Sequence, residues 1–159
     1  MHTHTIHRNR AFSLIELVIV VVILGIIGAI AIPRMSRGAA GAADSAVVSD
    51  LAVLRSAIDL YHTEHAGAYP TLAKFEEQLT QYSDINGNTS ATKDTTHIYG
   101  PYLRAIPKQK VGTNKGYAGV TDTQGTANFG WWYTASTGTI KVNAADSVLD
   151  DRGVAYTSY

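Results

Sequence analysis

Apolar side chains fall into three arrangements along this chain. From Phe12 to Ile32 they are nearly continuous: Glu16 is the only ionisable residue among these 21, and Leu17 to Ile32 carries no polar side chain. A small soluble region does not usually make a helix apolar on every face. At 1.5 Å per residue the run reaches about 31 Å, close to the hydrocarbon thickness of a bilayer. Residues 12–33 are therefore predicted to form a membrane-spanning helix. Pro33 is expected to kink a continuing helix, and Gly25 and Gly28, each costing roughly 1 kcal/mol of helix propensity, mark 24–33 as its weakest stretch.

The second arrangement is a stripe. Val47, Leu51, Leu54, Ile58 and Tyr61 recur at spacings of four, three, four and three, while Asp44, Asp50, Arg55, Asp59 and Glu64 fall mainly off that line. Residues 34–66 thus read as an amphipathic helix. Small residues at 38–43 would let neighbouring helices approach closely, and Gly67 and Pro70 should stop the helix near Ala66. The third arrangement, in 67–159, is short and mixed. Thr71 is placed to cap a short helix with Leu72, Phe75, Leu79 and Tyr82 on one side. Residues 83–96 read as a polar loop and 116–121 as strand or loop. Residues 130–134 and 139–143 alternate as strands around a turn at 135–138, with Ile140 and Val142 facing the helix stripe and Lys141 facing water. Only one of Trp131 and Trp132 can join that core. The fold class expected is α+β: a long N-terminal helix packed on a small antiparallel sheet in a globular head at 67–159.

Charge and composition narrow the picture. Basic and acidic residues number 13 each, and cysteine is absent, so no disulfide holds the loops. Residues 1–11 carry Arg8 and Arg10 and no acid; a positive flank keeps that end cytoplasmic and sends the rest across the membrane. A cleaved secretory signal would have a shorter apolar region followed by a small-residue site, which Ala29 and Ala31 only imitate. Without the leader the chain has 11 basic against 13 acidic residues, a balance that does not favour nucleic acid. Arg104, Lys108, Lys110 and Lys115 read as a solvated loop, since Tyr102 is the only aromatic interleaved with them.

Glu16 needs a reason, because a carboxylate near the bilayer centre costs about 2.5–3.5 kcal/mol. The bland reading is an acid that snorkels to the interface. The sharper one is a carboxylate awaiting a cation. Removal of the leader between Ala11 and Phe12 would create an amine at Phe12, and that amine on one copy could pair with Glu16 of its neighbour where attraction is weakly screened.

Phe12-Ser-Leu-Ile-Glu16-Leu, its apolar continuation and Ala31-Ile32-Pro33-Arg34 resemble the N-terminus of type IV pilins and type II secretion pseudopilins. The resemblance implies cleavage between Ala11 and Phe12 by a prepilin peptidase, methylation of Phe12, and assembly through the N-terminal helix with Glu16 and Pro33 taking part. It also implies a single-pass precursor in the inner membrane with its head in the periplasm. From there it would enter a periplasmic or extracellular homopolymer, driven by an inner-membrane assembly platform and a separate ATPase. One departure is Ala11, where the family usually has glycine. Gly100-Pro-Tyr-Leu with Ile106-Pro107, followed by Gly130-Trp-Trp-Tyr, Thr137-Gly-Thr-Ile and Asn143, is similar to the head of the major pseudopilin. The expected function is a structural subunit of a pseudopilus or type IV pilus-like filament, and not an enzyme. The alternative is a minor pilin, adhesin or DNA-binding pilin at the filament tip.

Other constellations are weaker. His62-Thr-Glu-His65 reads as a solvated helix end rather than a metal site. Asp84-Ile-Asn86-Gly87-Asn88 has alternating oxygen donors, but Thr95 stands where a calcium loop needs its bidentate acid, so a turn is the better reading. Major pseudopilins hold calcium in a C-terminal loop. Asp122, Asp146, Asp150 and Asp151 are candidate donors here, although they do not align with that family's site. No serine–histidine–acid set, phosphate-binding glycine loop or zinc-ligand series is present.

Overall fold

A computed structural model describes residues 12–159, with side chains described for 12–30 and 41–159. The chain divides into two units, Met1–Gly38 and Ala39–Tyr159. Helix α1, Leu14–Glu64, has residues in both.

In the first unit, Phe12 and Ser13 precede the helix and the apolar side chains that follow stand in the open. Val18, the least exposed large one between Leu14 and Ile30, is still 48% exposed. Among the described residues no helix is long and apolar enough to cross a membrane. The described apolar stretch, Leu14 to Ile30, spans about 26 Å against roughly 30 Å of hydrocarbon. Pro33 falls within the bounds of α1; its side chain and the leader 1–11 lie outside the described residues.

The second unit is built on the predicted stripe. Val47, Leu51, Leu54, Ile58 and Tyr61 are all buried and join one core with Phe75, Leu79, Trp131, Tyr133, Ile140 and Val142. The helix ends at Glu64, and the chain turns through Ala66 and Gly67, both with positive φ. A left-handed residue just past the last turn is the common way to end a helix. A 3₁₀ turn at Leu72–Lys74 leads into α2, Phe75–Thr80, and Thr71 makes no side-chain cap bond there. Its hydroxyl and amide instead face Gln78 Oε1.

Two small sheets follow. The segment read as a polar loop holds a hairpin of β1, Tyr82–Ser83, and β2, Thr89–Ser90. The second sheet has the order β3 (Val120–Thr121), β4 (Trp131–Thr134), β5 (Thr139–Val142). The antiparallel pair β4–β5 is as expected, with Trp131 opposite Val142 and Tyr133 opposite Ile140. Trp131 is fully buried and donates to the Pro107 carbonyl at 2.8 Å. Trp132 lies on the outer face, where Lys141 covers its ring.

The sheet is not purely antiparallel, because β3 runs parallel to β4. The reason lies in the connecting loop, which amide side chains bolt in place. Asn143 Nδ2 donates to the carbonyls of Thr126 and Phe129, Asn114 Nδ2 donates to those of Thr126 and Asn143, and Gly125 N–H donates to Asn143 Oδ1. With its backbone groups satisfied this way, the loop returns the chain to the end where β3 began.

The histidine pair is also corrected. His65 is buried, not solvated. Its ring stacks on Tyr61 at 3.7 Å, and its nitrogens meet the Tyr61 carbonyl and Ser83 Oγ. His62 stacks on Tyr69, and Glu64 accepts the Tyr102 hydroxyl at 2.6 Å. The three side chains are occupied with packing and hydrogen bonds rather than gathered around an ion.

Candidate functional site

Local chemistry sets the start of α1. Ser13 N–H donates to Glu16 Oε2 at 3.0 Å, and Leu17 N–H closes the first turn on the Ser13 carbonyl at 3.2 Å. This is the carboxylate half of a capping box, in which a Glu three residues after the N-cap satisfies one of the helix's orphan donors. The signal Ser-x-x-Glu stands openly in the sequence at 13–16 and gives Glu16 a role within the subunit. Phe12 is 82% exposed and non-helical. It shares with Glu16, Leu17, Val20 and Val21 the lining of a hollow of about 230 Å³. Phe12, expected to be the processed and methylated residue, and Glu16, expected to take part in assembly, therefore line one hollow. Ala11 lies outside the described residues.

A second constellation sits in the head. Asp44, Asp150 and Asp151 each present one oxygen within a group spanning 4.8 Å. Asp122 and Asp146 are not part of it. Asp44 lies in α1 and is buried; the Tyr156 hydroxyl donates to its Oδ1 and Asp151 N–H to its Oδ2, the latter at 3.2 Å. Asp150 accepts from the backbone N–H groups of Arg152 and Val154, from the Arg152 guanidinium and from the Tyr159 hydroxyl. Arg55 reaches across from α1 to the main-chain oxygens of Ile140 and Tyr159. Asp146 accepts from Gln124 and Thr157.

Asp44, Asp146 and Asp150 serve as internal hydrogen-bond acceptors. Calcium takes six to eight oxygens. Both oxygens of Asp150 already hold two donors each, and Asp44 is engaged at both of its own. Asp44 and Asp150 would have to give up these hydrogen bonds to ligate an ion. What the arrangement does fit is a fastening: with no disulfide, segment 144–159 is tied to α1 through Asp44 and Arg55. Sequence reading missed Asp44 because it separates from Asp151 by more than a hundred residues and carries no local motif.

The electrostatics give this fastening a pH dependence. Burial alone would raise the Asp150 carboxyl, but the Tyr159 hydroxyl, the Val154 amide and Arg152 outweigh it and hold the group well below the usual carboxylate range. Thr157 and Gln124 lower Asp146 in the same way. A depressed carboxyl contributes stability above its unfolded pKa and loses it as pH falls through the folded one. Asp151 runs the other way: burial and the neighbouring Asp44 raise it, so its protonation offsets part of that loss. The full chain in detergent is expected to show a melting temperature nearly constant from pH 7 to 5 that falls below about pH 4. Asp150→Asn should flatten that fall. An acid limb as steep in the variant as in the parent would remove Asp150 from the account.

Comparison with known proteins gives one match: residues 6–32 correspond to the prokaryotic N-terminal methylation motif. No curated protein and no solved structure matches the chain. The matched segment contains Ala11, Phe12 and Glu16.

Proposed function

We propose that this chain, whose class III prepilin-type signal at 6–32 marks it as a substrate of prepilin peptidase and is consistent with a type IV pilin or pseudopilin, is a structural subunit of a type II secretion pseudopilus or a related type IV pilus-like filament. The precursor inserts through residues 12–33 with the leader on the cytoplasmic side and the head in the periplasm. The peptidase cuts between Ala11 and Phe12, and Phe12 is methylated. The subunit then leaves the inner membrane for a homopolymer built by an assembly platform and its ATPase.

The observation that carries this reading is the coincidence of the methylation motif with an exposed apolar helix start, where Phe12 and Glu16 line one hollow. Physical chemistry supplies the rest. A helix whose apolar side chains stand this far in the open must be covered by lipid or by other copies. A charge-neutralising contact between a new amine and Glu16 favours passage from the first environment to the second. The partners are thus further copies of the chain, the peptidase and the membrane machinery; no nucleic-acid contact enters the scheme.

Mass spectrometry of the polymer-associated protein tests it. The expected N-terminus is Phe12 carrying one methyl group. An intact leader, or a first residue other than Phe12, would refute the assignment.

A further inference from the structure

We propose that the open edge of β3 is a docking site for an extended segment of another protein, one that alternates apolar and basic side chains. That segment adds a strand beside residues 118–120 and sets an apolar side chain in the hollow next to them. The site lies wholly in the head and does not depend on polymerisation.

The edge is open because of the way β3 pairs. It is the outer strand of its sheet, with Val120 opposite Trp131 in parallel register. Trp131 N–H donates to the Gly119 carbonyl at 3.1 Å. Successive residues of an extended strand aim their main-chain groups to opposite sides, so Gly119 and Thr121 face β4 while Ala118 and Val120 face away. Among the described residues, no other segment bonds to the main chain of Ala118 or Val120 on that outer side. Proteins commonly guard such an edge with a proline or a charge. The run Ala118, Gly119, Val120, Thr121 has neither. Its outward N–H and C=O groups are free to take a further strand.

What stands beside the edge selects the guest. Residues 118–120 form one wall of a hollow of about 240 Å³, whose lining also includes Phe75, Ile106, Glu76 and Glu77. Phe75 and Ile106 are buried members of the core, whereas both glutamates are exposed. No lining side chain is basic, and neither glutamate has an ion-pair partner among the described residues. An aliphatic side chain entering the hollow gains by leaving water. The two carboxylates attract a cationic flank and repel an acidic one. Main-chain pairing thus supplies attachment, and the hollow with its acids supplies the choice of side chains.

Fluorescence anisotropy on the full chain in a non-ionic detergent tests the site. The labelled probe is a short capped peptide alternating valine and lysine, and saturable binding is expected. N-methylation of alternate amides gives two peptide isomers of equal composition. The isomer methylated on the amides that face the edge should bind at least about tenfold more weakly than the other, because it loses hydrogen bonds. This comparison reads the site without altering the protein.

The charge is read by a second arm. Glu76→Lys combined with Glu77→Lys should weaken the lysine peptide by about tenfold and strengthen a peptide with glutamate in place of lysine. Both positions are exposed, so the melting temperature of this variant should match the parent's. No saturable binding, equal binding of the two methylated isomers, or an unchanged preference in the charge-reversed variant would overturn the proposal. So would concentration-dependent pairing of the chain that the same double variant abolishes, since the hollow would then hold a second copy.

Discussion

Replacing Glu16 by either alanine or glutamine is expected to reduce polymer by at least about tenfold while leaving insertion and leader removal in place. Two physical roles meet at this carboxylate, and the pair of variants separates them. Within the subunit, Glu16 accepts the Ser13 N–H and caps the first turn of α1. Glutamine keeps an oxygen for that bond and is an accepted residue at this position of a capping box; alanine does not. Between subunits, the proposed partner is the amine that leader removal creates at Phe12, and only a carboxylate neutralises it.

Removing one member of a buried ion pair costs about 3–5 kcal/mol, because the other charge is left without water or counter-ion. A lost cap costs about 1 kcal/mol. If pairing dominates, glutamine and alanine should be alike in polymer yield. If capping is the only role, the glutamine variant should assemble nearly as well as the parent. Quantifying sheared polymer against total membrane subunit for the three chains reads the answer, and a normal yield from Glu16→Gln removes the intersubunit charge from the mechanism.

The largest expected effect on the head comes from Gly130→Ala. A Cβ at that position would stand 2.2 Å from the Tyr117 carbonyl oxygen and 3.1 Å from Gln109 Cβ. The first obstacle is main chain, so no rotamer change relieves it. Nor is the main chain free to move. Tyr117 O accepts the Gln109 amide at 2.9 Å, Gly130 N–H donates to Gly119 at 2.8 Å, and Gly130 O accepts the Asn143 amide at 3.0 Å. Adding one methyl group must therefore break the junction that leads into β4 and places Trp131 in the core.

Overpacking costs about 1–3 kcal/mol and occasionally more, and with the Tyr117 main chain as the obstacle the upper end applies. A loss of about 3 kcal/mol corresponds to a melting temperature lower by about 10 °C for a head of this size. Gly125→Ala is the control: nothing lies within 4 Å of its added carbon, and the strain comes from its positive φ alone, about 1 kcal/mol. Thermal unfolding of the two full-length variants in detergent should rank them in that order. Equal melting temperatures would mean that the close approach at Gly130 is not a constraint.

The parts that were legible in the sequence are those with a period. The stripe from Val47 to Tyr61 has the spacing of a helix face, and every member is buried. Trp131 to Thr134 and Thr139 to Val142 alternate, and they pair antiparallel around the predicted turn. What escaped notice depends on partners distant in sequence. His65 looked like part of an exposed helix end, yet Ser83 and the tyrosines around it belong to segments that only the fold brings near. The parallel placement of β3 follows from amides at Asn114 and Asn143, neither of which lies in a strand. Asp44 falls off the apolar stripe, yet it is where the Tyr156 hydroxyl ends. The cap at Ser13 and Glu16 is different in kind: its motif is local and complete, and it lies inside the apolar run.

The fastening of segment 144–159 has a mechanical meaning. Its ties to α1 are hydrogen bonds to Asp44 and from Arg55, and bonds at Asp146 and Asp150 hold it together internally; none of them needs an oxidant to form. The head can thus finish folding without any thiol-oxidising catalyst, in air or in its absence. Should traction along a fibre tear the segment loose, nothing covalent has been lost, and the same contacts can re-form once the load is gone.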